Sequence, residues 1–165
     1  MTNALMSAVD YLRTSFEGPE PDYVNGELVE RSMPNLSHSL LQIRLADAFK
    51  SLEDRRKLFR STEIRLRVSH AKFRVADFAA FSTEVHEQVP ELPPYLVVEI
   101  VSPDDRYEDI MSKLADYEEA GVEFIFLADT PVRKLSRFRR GDLVGVAALE
   151  LPAYGASIPL SAIFG

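Results

Sequence analysis

The chain of 165 residues contains no cysteine, which excludes disulfide bonds, thiolate catalysis and cysteine-ligated zinc sites. No apolar run approaches the roughly 18 residues that a membrane-spanning helix needs, and no basic stretch precedes a long apolar segment at the N-terminus. Hydrophobic residues still make up 46% of the chain, enough for one buried core. We therefore expect a single domain over residues 1–165 that is soluble and cytoplasmic.

The chain also lacks net positive charge. Its formal net charge of −7 argues against general nucleic-acid binding, which depends on Lys and Arg displacing the counterions of phosphates. The basic residues are unevenly distributed, however, because 13 of the 19 Lys and Arg lie within residues 55–74 and 133–140. The first of these segments contains a single acid, Glu63. The ordinary interpretation of such runs is solvated strand faces and turns, and the alternative is a surface that contacts nucleic acid.

The first third of the chain alternates helical and turn signals. Helical spacing of Leu5, Met6, Val9 and Leu12 predicts an amphipathic helix over residues 3–16. Asn25-Gly26 predicts a hairpin over residues 23–33, because both turn residues tolerate positive φ. A second helix is predicted over residues 36–53 with Ser37 as its N-cap. Its apolar stripe consists of Leu41, Leu45, Ala48 and Leu52, widened by Ile43 and Phe49.

Strand signals then dominate. Residues 58–69 alternate with period two, with Ile64, Leu66 and Val68 inward and Arg65 and Arg67 outward. Residues 73–81 and 95–101 are apolar on both faces, as in interior strands. The Pro-rich stretch 84–94 between them is predicted to be a surface loop.

The next segment predicts a parallel crossover. Ile110, Leu114 and Tyr117 mark a helix that ends at Gly121, and residues 122–128 form the next buried strand. Strand, helix and strand over residues 95–128 should be connected with right-handed topology. The order over residues 36–128 is therefore α-β-β-β-α-β, an α/β (α+β) arrangement with a mixed sheet flanked by helices. A C-terminal hairpin of strands 132–139 and 142–150 is predicted to turn at Gly141-Asp142, and the apolar tail 157–164 should close over the core.

Two carboxylates and one lysine stand out against this pattern. Asp77 and Glu99 are lone acids inside apolar strands, and a buried ionised carboxylate needs a partner or a cleft. Lys113 shares the helix face of Ile110, Leu114 and Tyr117, which must pack on the sheet. Two acids and a lysine held in this way are the components of a metal-dependent phosphodiesterase site. The alternatives are strand ends that reach solvent, neutralisation of Asp77 by Arg74, and a lysine that snorkels to the helix edge.

Several short motifs carry a resemblance to a known family. They are Val75-Ala76-Asp77, the run 98–103 (VEIVSP), and the run 113–117 (KLADY) followed by Gly121-Val122. Upstream Asn25-Gly26-Glu27, His38 and the closing run 158–164 fit as well. Together they resemble the bacterial putative restriction endonucleases of the PD-(D/E)XK nuclease superfamily, over nearly the whole chain. The α-β-β-β-α-β order is the core of that restriction-endonuclease-like fold.

The resemblance implies a site and a reaction. Asp77, Glu99 and the backbone carbonyl of Ile100 would bind Mg²⁺ or Mn²⁺, and Lys113 would activate water for DNA cleavage. Val101 stands where a standard member of the superfamily has lysine, and the resemblance implies that this lysine has migrated to Lys113. Glu27 would be an outer ligand, and His38 a proton acceptor or phosphate contact. Ala76 replaces a usual proline, while Ser102 and Asp104 are expected to cap the second core helix.

Three interpretations of the function remain open at this point. The first is a metal-dependent DNA endonuclease whose basic segments 55–74 and 133–140 flank the cleft. The second is a binding or regulatory module that keeps the fold with weak or no cleavage, and the third is a metal-dependent enzyme acting on RNA or a small phosphodiester. Because cleavage of a duplex needs two sites, we expect a homodimer formed through the N-terminal helix or the 132–150 hairpin. Both elements could instead pack only within the chain.

Overall fold

The computed structural model describes residues 5–165, so residues 3 and 4 of the predicted N-terminal helix lie outside the described part. Its helices are α1 (Ala8–Arg13), α2 (Leu36–Asp54), α3 (Tyr107–Glu119) and α4 (Leu160–Phe164). Its strands are β1 (Asp22–Val24), β2 (Glu27–Val29), β3 (Phe59–Ser69), β4 (Lys72–Phe81), β5 (Leu96–Ile100), β6 (Phe124–Asp129), β7 (Lys134–Arg139), β8 (Asp142–Val146), β9 (Ala148–Leu151) and β10 (Ala156–Pro159). The predicted α-β-β-β-α-β order is confirmed as α2, β3, β4, β5, α3 and β6.

One mixed sheet of eight strands forms the centre of the fold. The strand order is β2-β1-β4-β5-β6-β7-β8, and β3 pairs with the remaining edge of β4. β5 and β6 are parallel and joined by α3, which confirms the predicted parallel crossover. The neighbouring pairs of β4 with β5 and β6 with β7 are antiparallel. β9 and β10 form a separate two-stranded sheet.

Helix α2 covers one face of the sheet. Leu41, Leu45, Phe49 and Leu52 are buried in the core, as the periodicity predicted. Ile43 is 57% exposed, so the predicted stripe was too wide on that side. The N-cap is Asn35 and not Ser37, because the Asn35 side chain accepts the backbone N–H of His38 at 2.9 Å. This cap fixes where His38 stands at the start of the helix.

Helix α3 covers the other face. Leu114 and Tyr117 are fully buried there beside Val97 and Ile125 of the sheet. The helix ends as predicted, with Gly121 at φ +97 after the C-cap residue. The predicted caps at its start were wrong. The helix begins after Arg106 without a side-chain cap, because Asp105 accepts the Ser102 N–H and closes a separate turn instead.

The two hairpins differ in how well they were predicted. Asn25 and Gly26 adopt φ of 52 and 94 between β1 and β2, as expected for the Asn-Gly turn. At the C-terminal hairpin the turn residues are Arg140 and Gly141, at φ 51 and 81, one position earlier than predicted. The predicted strand 142–150 is interrupted after Val146, and its second half pairs with the tail as β9.

Helix α1 buries an unpredicted face. Tyr11 is fully buried and stacks on Tyr23 at a centroid distance of 5.0 Å, with its hydroxyl donating to the Pro21 carbonyl. Leu5, Val9 and Leu12, three residues of the predicted apolar face, are 69%, 55% and 40% exposed. A large aromatic ring with a satisfied hydroxyl therefore anchors this short helix, and Val9 and Leu12 face outward. No helix among residues 5–165 is long and apolar enough to span a membrane.

Candidate active site

The candidate site lies at a gap in the sheet along one edge of β4. β3 runs along the whole of the other edge, so β1 and β5 must share this one. β1 pairs with β4 only at Lys72 and Phe73, and β5 pairs only from Phe78 onward. Residues 74–77 of β4 therefore have no strand partner in either of these ladders. A cavity of about 190 Å³ opens over this gap.

Side chains replace the missing strand partner. The Val75 N–H donates to Asp22 Oδ1 at 2.7 Å, and the Val75 carbonyl accepts Lys113 Nζ at 2.7 Å. The backbone polar groups at the gap are thus satisfied by an acid from β1 and a lysine from α3, as buried peptide groups require. Sequence reasoning missed Asp22, although it is another lone acid in a strand, because that strand has only three residues.

Asp77 and Glu99 face each other where β4 and β5 separate. The last paired residues of the ladder are Phe78 and Val98, and the same register continued by one step sets Asp77 opposite Glu99. Beyond that point the Ile100 N–H donates to Asp77 Oδ2 at 2.7 Å, so the Asp77 side chain accepts a hydrogen bond that a backbone carbonyl of β4 would accept in a regular ladder. The N–H and carbonyl of one strand residue point to the same neighbouring strand. The Ile100 carbonyl is therefore directed toward the side of Asp77.

Asp77 is buried and ionised. Its Oδ1 lies 2.8 Å from Arg31 Nη2 and 3.2 Å from His38 Nε2. Burial raises the pKa of this carboxyl, but the hydrogen bond with His38 and the positive charges of Lys113 and Arg31 outweigh burial and hold the pKa well below its usual range. Arg74 does not neutralise Asp77, contrary to one alternative, since it pairs with Asp22 and Asp116.

Glu99 and Lys113 form a buried pair on the α3 side. Glu99 Oε2 lies 3.0 Å from Lys113 Nζ, and Glu99 Oε1 accepts the Tyr117 hydroxyl at 2.7 Å. Burial raises the pKa of Glu99 to about 8 despite the nearby lysine charge. The structure thus brings Lys113 to Glu99, and the lysine does not snorkel out along the helix edge.

His38 lies at the same carboxylate. Burial lowers its pKa, but the hydrogen bond and charge of Asp77 outweigh burial and leave the pKa raised. His38, Glu63 and Asp77 offer one nitrogen and two oxygen atoms within 4.8 Å of one another. Glu63 has φ 49 within β3, an uncommon value for a non-glycine residue, at the position opposite Asp77. The sequence signal that could have indicated Glu63 is that it is the lone acid in a basic strand.

Glu27 is not brought to the cavity. It is exposed on β2 opposite Val24, next to the hairpin turn, whereas the cavity lies at the open end of this hairpin. Two residues of strand, about 7 Å, separate the two ends. Glu30 and Arg31, which follow β2, line the cavity instead.

The cavity is acidic. Its lining contains four Lys and Arg and eight Asp and Glu, namely Asp22, Glu30, Glu63, Asp77, Glu99, Asp104, Asp105 and Asp109. Of the basic residues in segments 55–74 and 133–140, Arg74 is the one that lines the cavity. The expectation that these segments flank the cleft is supported only for residues 55–74, whose Glu63 and Arg74 line the cavity. Other arginines of that segment pair with surface acids, as Arg56 does with Glu84 and Arg67 with Glu91. Such a lining favours a cation and disfavours a free polyanion.

The donor set suits a hard divalent cation. Asp77, Glu99 and Ile100 line the cavity at the gap, and carboxylate and carbonyl oxygens are the ligands that Mg²⁺ and Mn²⁺ prefer. The ionised state of Asp77 and the excess of acidic groups also fit a cation. Asp77, Glu99 and Ile100 form one candidate donor set, and His38, Glu63 and Asp77 form an overlapping one.

Comparison with known proteins agrees with this architecture. Residues 8–164 match the Uma2 family, described as putative restriction endonuclease, and the chain belongs to that family. None of the curated proteins matches the chain. Among solved structures it is similar to a putative nuclease belonging to DUF820 from Anabaena variabilis ATCC 29413, with a TM-score of 0.83 at 17% identity. The alignment covers 94% of this chain and 96% of that one, so the restriction-endonuclease-like fold is shared over nearly the full length.

Proposed function

We propose that the protein is a cytoplasmic metal-dependent phosphodiester hydrolase, a DNA endonuclease that uses Mg²⁺ or Mn²⁺. The observation that carries the proposal is that Asp77 and Glu99 line one cavity at the sheet gap, with Lys113 3.0 Å from Glu99. Membership of a family described as putative restriction endonuclease supports a nuclease role. The acidic lining of the cavity would repel a phosphate, and a bound cation would offset that repulsion.

Each residue has a distinct role in this proposal. Asp77, Glu99 and the Ile100 carbonyl hold the cation, which when bound lowers the pKa of water and offsets charge on the phosphate. Lys113 is fixed by the Val75 carbonyl, so its ammonium can orient the attacking water and stabilise charge that develops in the transition state. His38 positions Asp77 through their contact at 3.2 Å. Glu30 and Glu63 are better placed than Glu27 for contacts through water.

Plasmid cleavage tests this function. Purified protein is incubated with supercoiled and linear DNA in Mg²⁺, Mn²⁺ or EDTA, and we expect cleavage that needs the cation. Asp77→Asn and Glu99→Gln should abolish cleavage, while Asp47→Asn and Glu119→Gln, the same changes at exposed helix positions, should not. Lys113→Ala should lose most activity and still bind Mn²⁺, because lysine is not a ligand. Cleavage that survives in Asp77→Asn would refute the assignment.

A non-catalytic module is the second candidate. The acidic lining of the cavity, which contains one basic residue of the segments 55–74 and 133–140, favours this alternative, as does Val101 in place of a lysine. In that case Mn²⁺ would bind without turnover of DNA, RNA or a small phosphodiester such as bis(p-nitrophenyl) phosphate. Turnover of RNA or of the small phosphodiester without turnover of DNA would instead show that the substrate is not DNA.

A homodimer completes the proposal. Leu5, Val9 and Leu12 of the N-terminal segment, with Leu28 of β2, are at least 40% exposed in the single chain, so their apolar surface is available to a twofold partner. Light scattering coupled to size exclusion should give about twice 18.6 kDa. Val9→Glu should return the mass to 18.6 kDa, and Val132→Glu, a matched change at another exposed valine, should not. A wild-type mass of 18.6 kDa at micromolar concentration would rule out the dimer.

A further inference from the structure

Arg31 holds the carboxylate oxygen that a bound cation would need. Its Nη2 lies 2.8 Å from Asp77 Oδ1, and its Nη1 lies 2.8 Å from Glu63 Oε2. The guanidinium therefore bridges two acids that belong to the candidate donor sets. Together with His38 and Lys113, this arginine offsets the charge of buried Asp77 when no metal is bound.

Cation and guanidinium cannot share this oxygen without cost. A divalent cation at a ligand distance of roughly 2.1 Å from Asp77 Oδ1 would lie within a few ångströms of the Arg31 charge. Like charges at that separation in a buried site repel strongly. Asp77 has two further partners: the Ile100 N–H on Oδ2, which can remain in place, and His38 Nε2, 3.2 Å from Oδ1, which unlike a guanidinium has a neutral form. Arg31 is the group that must move.

The position of Arg31 in the chain allows this movement. It lies in the connection between β2 and α2, where residues 30–35 form neither helix nor strand. The guanidinium makes one long contact with the Glu20 carbonyl, at 3.3 Å, and the side chain is 12% exposed at the wall of the cavity. A change of side-chain rotamer would carry the charge into the cavity without disturbing the sheet.

Glu63 does not depend on Arg31 for its place. Gln42 Nε2 donates to Glu63 Oε1 at 2.7 Å and to the Asp77 carbonyl at 2.9 Å, which fixes the carboxylate from α2. Departure of the guanidinium would therefore leave both acids in position and increase the negative charge seen by a cation. The donor atoms therefore stay in place while the cation replaces the guanidinium as their positive partner.

We propose that Arg31 and the divalent cation exchange on Asp77, and that the released guanidinium then binds the substrate phosphate. This inference rests on the proposed metal-dependent function. An arginine is suited to the second role because its planar fork matches phosphate oxygens in a bidentate contact. The acidic lining makes a cation of this kind necessary for phosphate to approach. Arg31 thus couples loading of the metal to recognition of the phosphodiester.

The first arm of the test measures Mn²⁺ binding by calorimetry in metal-free protein. Arg31→Met should bind Mn²⁺ about tenfold more tightly than the wild type, because the cation no longer displaces a charge. Arg106→Met is the matched control, since Arg106 also lines the cavity and makes no contact with Asp77, and it should stay within about twofold. Unchanged or weaker Mn²⁺ binding in Arg31→Met overturns the exchange. If Arg31→Met does not fold, Arg31→Gln, which removes the charge and keeps a hydrogen-bond donor for Asp77, must show tighter binding instead.

The second arm measures binding of a short fluorescein-labelled DNA duplex by anisotropy, with saturating Mn²⁺ and in a Lys113→Ala background to prevent cleavage. Adding Arg31→Met should weaken this binding about tenfold while the Mn²⁺ affinity rises. Opposite signs for metal and duplex are not expected of a residue that only supports the fold. Duplex affinity that is unchanged or increased overturns the role in phosphate binding.

The two arms separate this inference from the proposed function. Absence of Mn²⁺ binding to the wild type, or binding that persists in Asp77→Asn, refutes the metal site itself and the exchange with it. Binding that depends on Asp77 and is no tighter in Arg31→Met refutes the exchange alone.

Discussion

Replacing Arg74 by methionine tests the buried charge network that supports the site. Arg74 lies on β4 with its side chain 6% exposed, and it contacts Asp116 at 2.7 Å and Asp22 at 3.2 Å. Methionine keeps much of the side-chain volume and removes the charge. Two buried acids would then share the remaining cations, Lys72 on Asp116 and Lys113 near Asp22.

The magnitude follows from burial. Removing one partner of a buried ion pair costs about 3–5 kcal/mol, because it leaves an uncompensated charge away from water. Asp116 keeps Lys72 at 2.8 Å and Asp22 keeps the Val75 N–H at 2.7 Å, so the lower end applies. We expect a loss of about 3 kcal/mol, which for a chain of this size lowers the melting temperature by about 6–12 °C.

Urea unfolding followed by circular dichroism measures the loss. Arg139→Met, the same change at an exposed residue of β7, should alter stability by less than about 0.5 kcal/mol. Adding Asp22→Asn to Arg74→Met should recover part of the loss, because the uncompensated charge is removed, and the two changes should couple by more than about 1 kcal/mol. A loss below about 1 kcal/mol for Arg74→Met would refute the reasoning.

Three further predictions concern the site and the core. Tyr117→Phe should cost about 1–3 kcal/mol in urea unfolding, because Glu99 Oε1 loses its buried donor, whereas Tyr107→Phe at a 66% exposed position should cost almost nothing. Burial raises the pKa of Glu99 to about 8, so this carboxyl carries a proton at pH 7 that a metal ligand must release. Mn²⁺ binding should then release a proton at pH 7 and release less at pH 9, measured from calorimetric heats in buffers of different ionisation enthalpy, and heats independent of buffer at pH 7 would contradict this. Leu45→Ala should cost about 2–5 kcal/mol, while Ile43→Ala, on the exposed side of the same helix, should cost under about 0.5 kcal/mol.

Periodicity and turn chemistry determined the order of elements. The helical stripe with Leu41 and Leu45, the Asn25-Gly26 turn and the stop at Gly121 are local signals, and each lies where it was predicted. The same signals failed where the local sequence was equally compatible with two structures. Asn35 and Ser37 are both good caps, and the apolar residues of α1 did not reveal that Tyr11 would be the buried one.

For the site, the sequence marked the acids and the lysine that stand out from apolar surroundings, namely Asp77, Glu99 and Lys113. It did not reveal their partners. Arg31, Glu63 and Asp22 reach the cavity from separate segments, and their contacts span 32 to 53 residues along the chain. Such contacts depend on where β1 stops and β5 begins along β4, and that boundary is set by how the strands pack and not by any local pattern. The sequence alone thus marked Asp77, Glu99 and Lys113 as charges that must be buried or paired. Only the tertiary structure showed that Asp22, Arg74 and Asp116 are also buried and which group neutralises each acid, because ion pairing depends on distances that folding creates.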